Sequence, residues 1–110
     1  MQLPNGDRAI VPIEKLTQYA LDPSHPMGRH KARVFARALG VTAENADLLL
    51  AELLRAAATR EATPGEADEH GQRYEIDFEM TTDIGTALVR SAWIVPVGEE
   101  LPRLLTCYIL

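Results

Sequence analysis

The sequence predicts an α+β fold, with N-terminal helices packed on one face of a C-terminal antiparallel sheet of three to four strands. Two patterns carry this expectation. Before about residue 58 the apolar residues recur at helical spacing, most clearly Ala46, Leu49, Leu50, Leu53 and Leu54. After about residue 72 they alternate: Tyr74, Ile76, Phe78 and Met80 stand between Arg73, Glu75, Asp77 and Glu79, the period of a strand with one buried face and one wet face. Helices followed by strands that pair as hairpins make a two-layer domain. The 110 residues form one domain, with a helical part at about 12–58, a loop at 59–71 and a β-meander at 72–110.

Taken in order, Leu3-Pro4-Asn5-Gly6-Asp7 reads as a turn, and Ala9-Ile10-Val11 as a short extended piece or edge strand. Pro12 suits the first turn of a helix, along which Ile13, Leu16, Tyr19 and Ala20 recur until Asp22-Pro23 ends it. Pro26 and Gly28 open a second helix, about Met27 to Leu39, which Gly40 closes. Its Lys31, Val34, Phe35 and Ala38 form one stripe and Arg29, Arg33 and Arg37 another, so Lys31 leans toward the core edge. Thr42 with Asn45 has the form of a cap for the third helix, which runs to about Ala58. Residues 59–71 are polar, with Thr63-Pro64-Gly65-Glu66 and Asp68-Glu69-His70-Gly71, and read as a mobile loop. Thr81-Thr82-Asp83-Ile84-Gly85 is a hairpin turn between the first strand and a second from Thr86 to Val95. A loop from Pro96 to Pro102 leads to a last strand, Leu104 to Leu110.

Composition narrows the function. A formal net charge of −5 argues against a protein that coats nucleic acid non-specifically, so any nucleic-acid contact must be local. The single cysteine, Cys107, excludes an internal disulfide and reads as a small buried hydrophobe. No apolar run approaches the roughly 20 residues of a membrane span, and the N-terminus lacks a signal peptide's basic and apolar regions, so a soluble, cytoplasmic protein without membrane contact is expected. His25, His30 and His70 lack ligand spacing, and no metal or other cofactor is expected. Glycine-rich phosphate loops and nucleophile elbows are absent from the sequence.

Two features stand out against this background. The segment from His25 to Gly40 gathers Arg29, His30, Lys31, Arg33 and Arg37 on one short rod in an acidic chain, an arrangement that can hold an anion such as phosphate or serve as a solvated basic face. Arg90, in the middle of the second strand, needs a partner or a ligand; Glu75 or Asp77 next door could pair with it. Thr106 and Tyr108 project from one face of the last strand, and with Arg90 they would form a polar strip on the sheet. His30 could act as a general base near neutral pH or lie on the surface.

A whole-chain pattern bears on these candidates. It comprises Leu3-Pro4-Asn5, Asp7 and Ala9; Lys15-Leu16, Tyr19, Leu21, Pro23 and His25-Pro26; Lys31-Ala32, Val34-Phe35 and Ala38-Leu39-Gly40; Gly71-Gln72-Arg73-Tyr74; Val89-Arg90-Ser91 and Trp93-Ile94; and Pro102-Arg103-Leu104, Thr106 and Tyr108. So ordered, it resembles a small uncharacterised domain found at the C-termini of contact-dependent growth inhibition and related polymorphic toxins, and also as free-standing proteins. Its layout is similar, by analogy, to the barnase, EndoU, colicin and RelE-like ribonucleases. The resemblance implies a toxin-like, metal-independent ribonuclease that cleaves RNA by attack of the 2′-hydroxyl on the adjacent phosphate. Lys31 and Arg90 would stabilise the phosphorane, His30 or Tyr108 would move a proton, and Thr106 or Ser91 would orient the phosphate. Arg29, Arg33, Gln72 and Tyr74 would bind substrate. The implied partners are RNA, with transfer RNA one candidate, and a cognate antitoxin or immunity protein. The alternative is a non-catalytic antitoxin or immunity-type protein that masks a basic toxin with Glu66, Asp68, Glu69, Glu75, Asp77 and Glu79.

Overall fold

The computed structural model describes residues 1–110, and it has the helices N-terminal to a four-stranded antiparallel sheet of order β1-β2-β3-β4. Helix α1 starts after Pro12 as an α-turn, Ile13–Lys15, and widens into a π-turn, Leu16–Ala20, in which the Leu21 N–H donates to the Leu16 carbonyl at 2.8 Å. The regular helix expected here is thus irregular. The reason lies in packing: in a regular helix Leu21 would stand about 140° round from Leu16. The wider turn swings it inward, and Leu16, Ala20 and Leu21 are all buried.

Helix α2, Arg29–Leu39, sends Ala32, Phe35 and Leu39 into the interior. It ends at Gly40, whose φ of 67° permits the closure in which the Val41 N–H reaches the Phe35 carbonyl at 3.2 Å. Thr42 and Asn45 then form a capping box, the Thr42 N–H donating to Asn45 Oδ1 at 2.7 Å. Helix α3, Ala46–Thr59, buries Ala46, Leu49, Leu53, Ala56 and Ala57.

Strands β2 (Gly71–Thr81) and β3 (Thr86–Pro96) pair along their whole length, and β4 (Arg103–Ile109) pairs with β3 across a bulge after Ala92. Where a loop was expected, Thr63–Asp68 is a further strand, β1, paired with β2. Pro64 and Gly65 argue against a central strand, but β1 is an edge strand with an irregular register between Pro64 and Ala67, which is where sheets accept them. Ile10 bridges in parallel to Arg103: its N–H donates to the Pro102 carbonyl and its carbonyl accepts from Leu104.

The sheet has two unlike faces. Ile76, Phe78, Met80, Val89, Ser91, Trp93, Leu104 and Cys107 are buried, and all but Ser91 belong to one core with α1, α2 and α3. The register puts Glu75 and Asp77, Arg90 and Ala92, and Thr106 and Tyr108 side by side on the opposite face.

Candidate anion site at the β4 edge

Lys31 lies in the first turn of α2, and its ammonium reaches the edge strand β4. Nζ lies 3.3 Å from Thr106 Oγ1 and 3.4 Å from the Tyr19 hydroxyl. It also stands 5.1 Å from the centre of the Tyr19 ring and 5.3 Å from that of Tyr108. Two aromatic faces and two hydroxyls thus surround a half-buried cation. No salt bridge in the molecule includes Lys31.

Arg90 is differently placed. Its Nε and an Nη each lie 2.8 Å from the two carboxylate oxygens of Asp77, its cross-strand neighbour, and its Nε is also 3.3 Å from Glu75. These carboxylates, Asp77 foremost, raise the guanidinium's pKa further, while the Arg90 hydrogen bond holds Asp77 below the ordinary 3.8. Tyr108, its partner on β4, adds the smallest of the raising effects. Of the two roles open to Arg90 in the sequence, the ion pair is the one the side chain occupies.

Ser91 does not join the cluster. Its side chain faces the core, is 0% exposed, donates to the Ile76 carbonyl at 2.8 Å and accepts from the Trp93 indole N–H at 2.9 Å. Both bonds satisfy buried groups, so the hydroxyl cannot orient a phosphate on the other face. Gln72 donates to the carbonyls of Gly65 and Arg73, fastening the irregular part of β1, and Tyr74 packs against the core. Arg29, His30 and Arg33 are exposed on the outer side of α2.

Two residues outside the expected set complete the surroundings of Lys31. Tyr19 reads in the sequence as an apolar helix position and as part of the whole-chain pattern; its polar tip is the signal for a role in the site. His25 packs its ring edge-on against Tyr19, with centroids 4.8 Å apart, and its Nδ1 accepts the N–H groups of Met27 and Gly28 at 3.0 and 3.1 Å. It therefore works as a cap at the entry to α2. Beneath the site, burial raises the Cys107 thiol to about 12, against a smaller opposing pull from Lys31. No three His, Cys, Asp or Glu side chains gather closely enough to hold a metal ion, and no helix is long and apolar enough to cross a membrane.

These features define a small α+β domain with a lysine-centred polar cluster at the edge of an otherwise open sheet face. The chain belongs to the family described as Domain of unknown function (DUF6883), whose profile matches residues 2–110. Neither the curated proteins nor the solved structures give a significant match.

Proposed function

We propose that the domain is a toxin-type, metal-independent ribonuclease whose phosphate-binding centre is Lys31. The observation that carries this reading is a half-buried ammonium with hydroxyl and aromatic neighbours but no carboxylate. A cation so placed lacks a counter-ion, and a phosphate diester would supply one. In the reaction the RNA 2′-oxygen attacks phosphorus and the bond to the 5′-oxygen breaks. Lys31 neutralises the charge that develops on the non-bridging oxygens, and the Thr106 hydroxyl donates to one of them. Tyr108 relays a proton between the attacking and leaving oxygens. Arg90, anchored by Asp77, stands beside Tyr108 as its cross-strand neighbour and limits where that ring can lie. The resemblance to the toxin C-terminal module and to the RelE-like ribonucleases adds support.

The second reading, a non-catalytic antitoxin or immunity-type partner, draws on a different observation. Glu66, Asp68 and Glu69 are exposed on and beside β1, and Glu75, Asp77 and Glu79 on the sheet face. Incubating purified protein with transfer RNA and total RNA in EDTA tests the first reading. Cleavage that Lys31→Met abolishes supports it; intact RNA, with the protein instead restoring growth to cells expressing a basic toxin, transfers the function to the second.

A further inference from the structure

Arg29, Arg33 and Arg37 are exposed along α2, and none takes part in a salt bridge or a side-chain hydrogen bond. Four arginines elsewhere, Arg55, Arg73, Arg90 and Arg103, each have a carboxylate within 4.0 Å, and the other unpaired cations, Arg8, Lys15, Lys31 and Arg60, stand apart from one another in the sequence rather than in a row. In a chain of net charge −5, carboxylates are plentiful, yet this face has none paired to it. We infer that the outer face of α2 is a second site, one that tracks the backbone of single-stranded RNA and feeds it to Lys31; the inference rests on the reading of RNA as substrate.

Three aspects of the geometry point to one RNA strand. The arginines recur every four residues, which spaces them about 6 Å apart along the axis. They form a single row, suited to the successive phosphates of one strand rather than to the two strands of a duplex. A shallow groove of about 300 Å³ lined by His30, Arg33, Val34, Arg37 and Ala38 lies beside the row. On the helical wheel His30, Val34 and Ala38 fall between the arginines and Lys31, so the groove leads toward the Lys31 flank. The apolar floor from Val34 and Ala38 can receive a sugar or base, and Tyr19 and Tyr108 offer ring faces at the far end.

The test is anisotropy titration of a labelled, uncleavable 2′-O-methyl RNA strand of about 12 nucleotides, using the full chain and Arg29→Gln/Arg33→Gln/Arg37→Gln. The triple variant should melt with the parent yet bind about 10-fold or more weaker at moderate salt, with the log–log salt slope reduced by about 2 for three lost phosphate contacts. Lys31→Met should lose less affinity and less than one unit of that slope. Unchanged affinity and slope in a folded triple variant would overturn the site. So would equal binding of a duplex, or of polyglutamate, which would assign the face to a protein partner. Cleavage of ordinary RNA by the parent is scored separately: arginine-dependent binding without cleavage removes the nuclease and leaves the site, whereas cleavage with arginine-independent binding does the reverse.

Discussion

Arg90 and Ser91 are neighbours in the chain with opposite surroundings, because a strand sends successive side chains to opposite faces. That alternation separates Ser91, which serves the core, from the polar cluster centred on Lys31, and the two call for opposite predictions. Ser91→Ala should cost about 1–3 kcal/mol, since it strips the Trp93 indole and the Ile76 carbonyl of a buried partner. Thermal melts check it, and specific activity per folded molecule should stay at the parent level. Lys31→Met should do the reverse. The isosteric apolar chain fits between two rings, so the melting temperature should hold or rise, while RNA cleavage under the proposed reading falls by on the order of 100-fold. A folded Lys31→Met protein with full cleavage would remove the phosphate centre. The sequence pointed to Lys31, Thr106 and Tyr108 because each is polar on an element with an apolar side. It also held the information that placed Ser91 with Val89 and Trp93, away from Arg90. The place of Tyr19 in the site was not legible, because a tyrosine satisfies a core stripe and its second role depends on how α1 meets α2.

That junction is the least regular part of the helical layer. The π-turn ends at Ala20, and Gly28 packs so closely on it that a Cβ there would stand 2.2 Å from the Tyr19 carbonyl oxygen. Gly28→Ala must therefore displace Tyr19, and with it a partner of Lys31. A loss of about 1–3 kcal/mol in a denaturant titration is expected. The His25 cap gives a subtler contrast. Neutral imidazole accepts through one nitrogen, and asparagine accepts well at the same kind of helix entry. His25→Asn should thus retain most of the stability, whereas His25→Leu loses about 1 kcal/mol, and equal melts for the two would exclude a capping role. Among the elements, α2, α3 and the β2–β3 hairpin were legible because their periodicity extends over many residues. Strand β1 was not, since its six residues are all exposed and carry no alternation to read. The π-turn was hidden for another reason: its hydrogen bonding answers to the burial of Leu21 rather than to any local preference.

At the scale of the whole molecule, the charges are segregated, with a basic α2 and an acidic β1–β2 hairpin, and the pH response should reflect the few groups the fold perturbs. Asp22, Asp68 and Asp77 all lie below the ordinary 3.8, held there chiefly by hydrogen bonds from Ser24, from the His70 N–H and from Arg90 respectively. A carboxylate with a depressed folded value stabilises the fold above its unfolded value and loses that contribution as the pH falls. Unfolding free energy should therefore be level down to about pH 4 and decline below it, modestly, because these groups face solvent. At the basic end one buried thiol contributes. Cys107 has an ordinary value of 9.0 and a folded value raised to about 12, so above pH 9 the unfolded chain gives up a proton that the native chain keeps. Its contribution is complete below pH 9.0 and is lost as the pH climbs toward about 12. Other groups also titrate there, and Cys107→Ala separates them: the cavity lowers stability by a constant offset, whereas the thiol acts on the slope. Denaturant titrations from pH 8 to 10.5 should show a shallower decline for the variant. In parallel, the native thiol should resist Ellman's reagent at pH 8 and react once the chain is unfolded, because a buried, protonated sulfur is a poor nucleophile. Rapid native labelling together with parallel slopes would mean that the layer beneath Lys31 opens far more readily than the packing of Cys107 against the core requires.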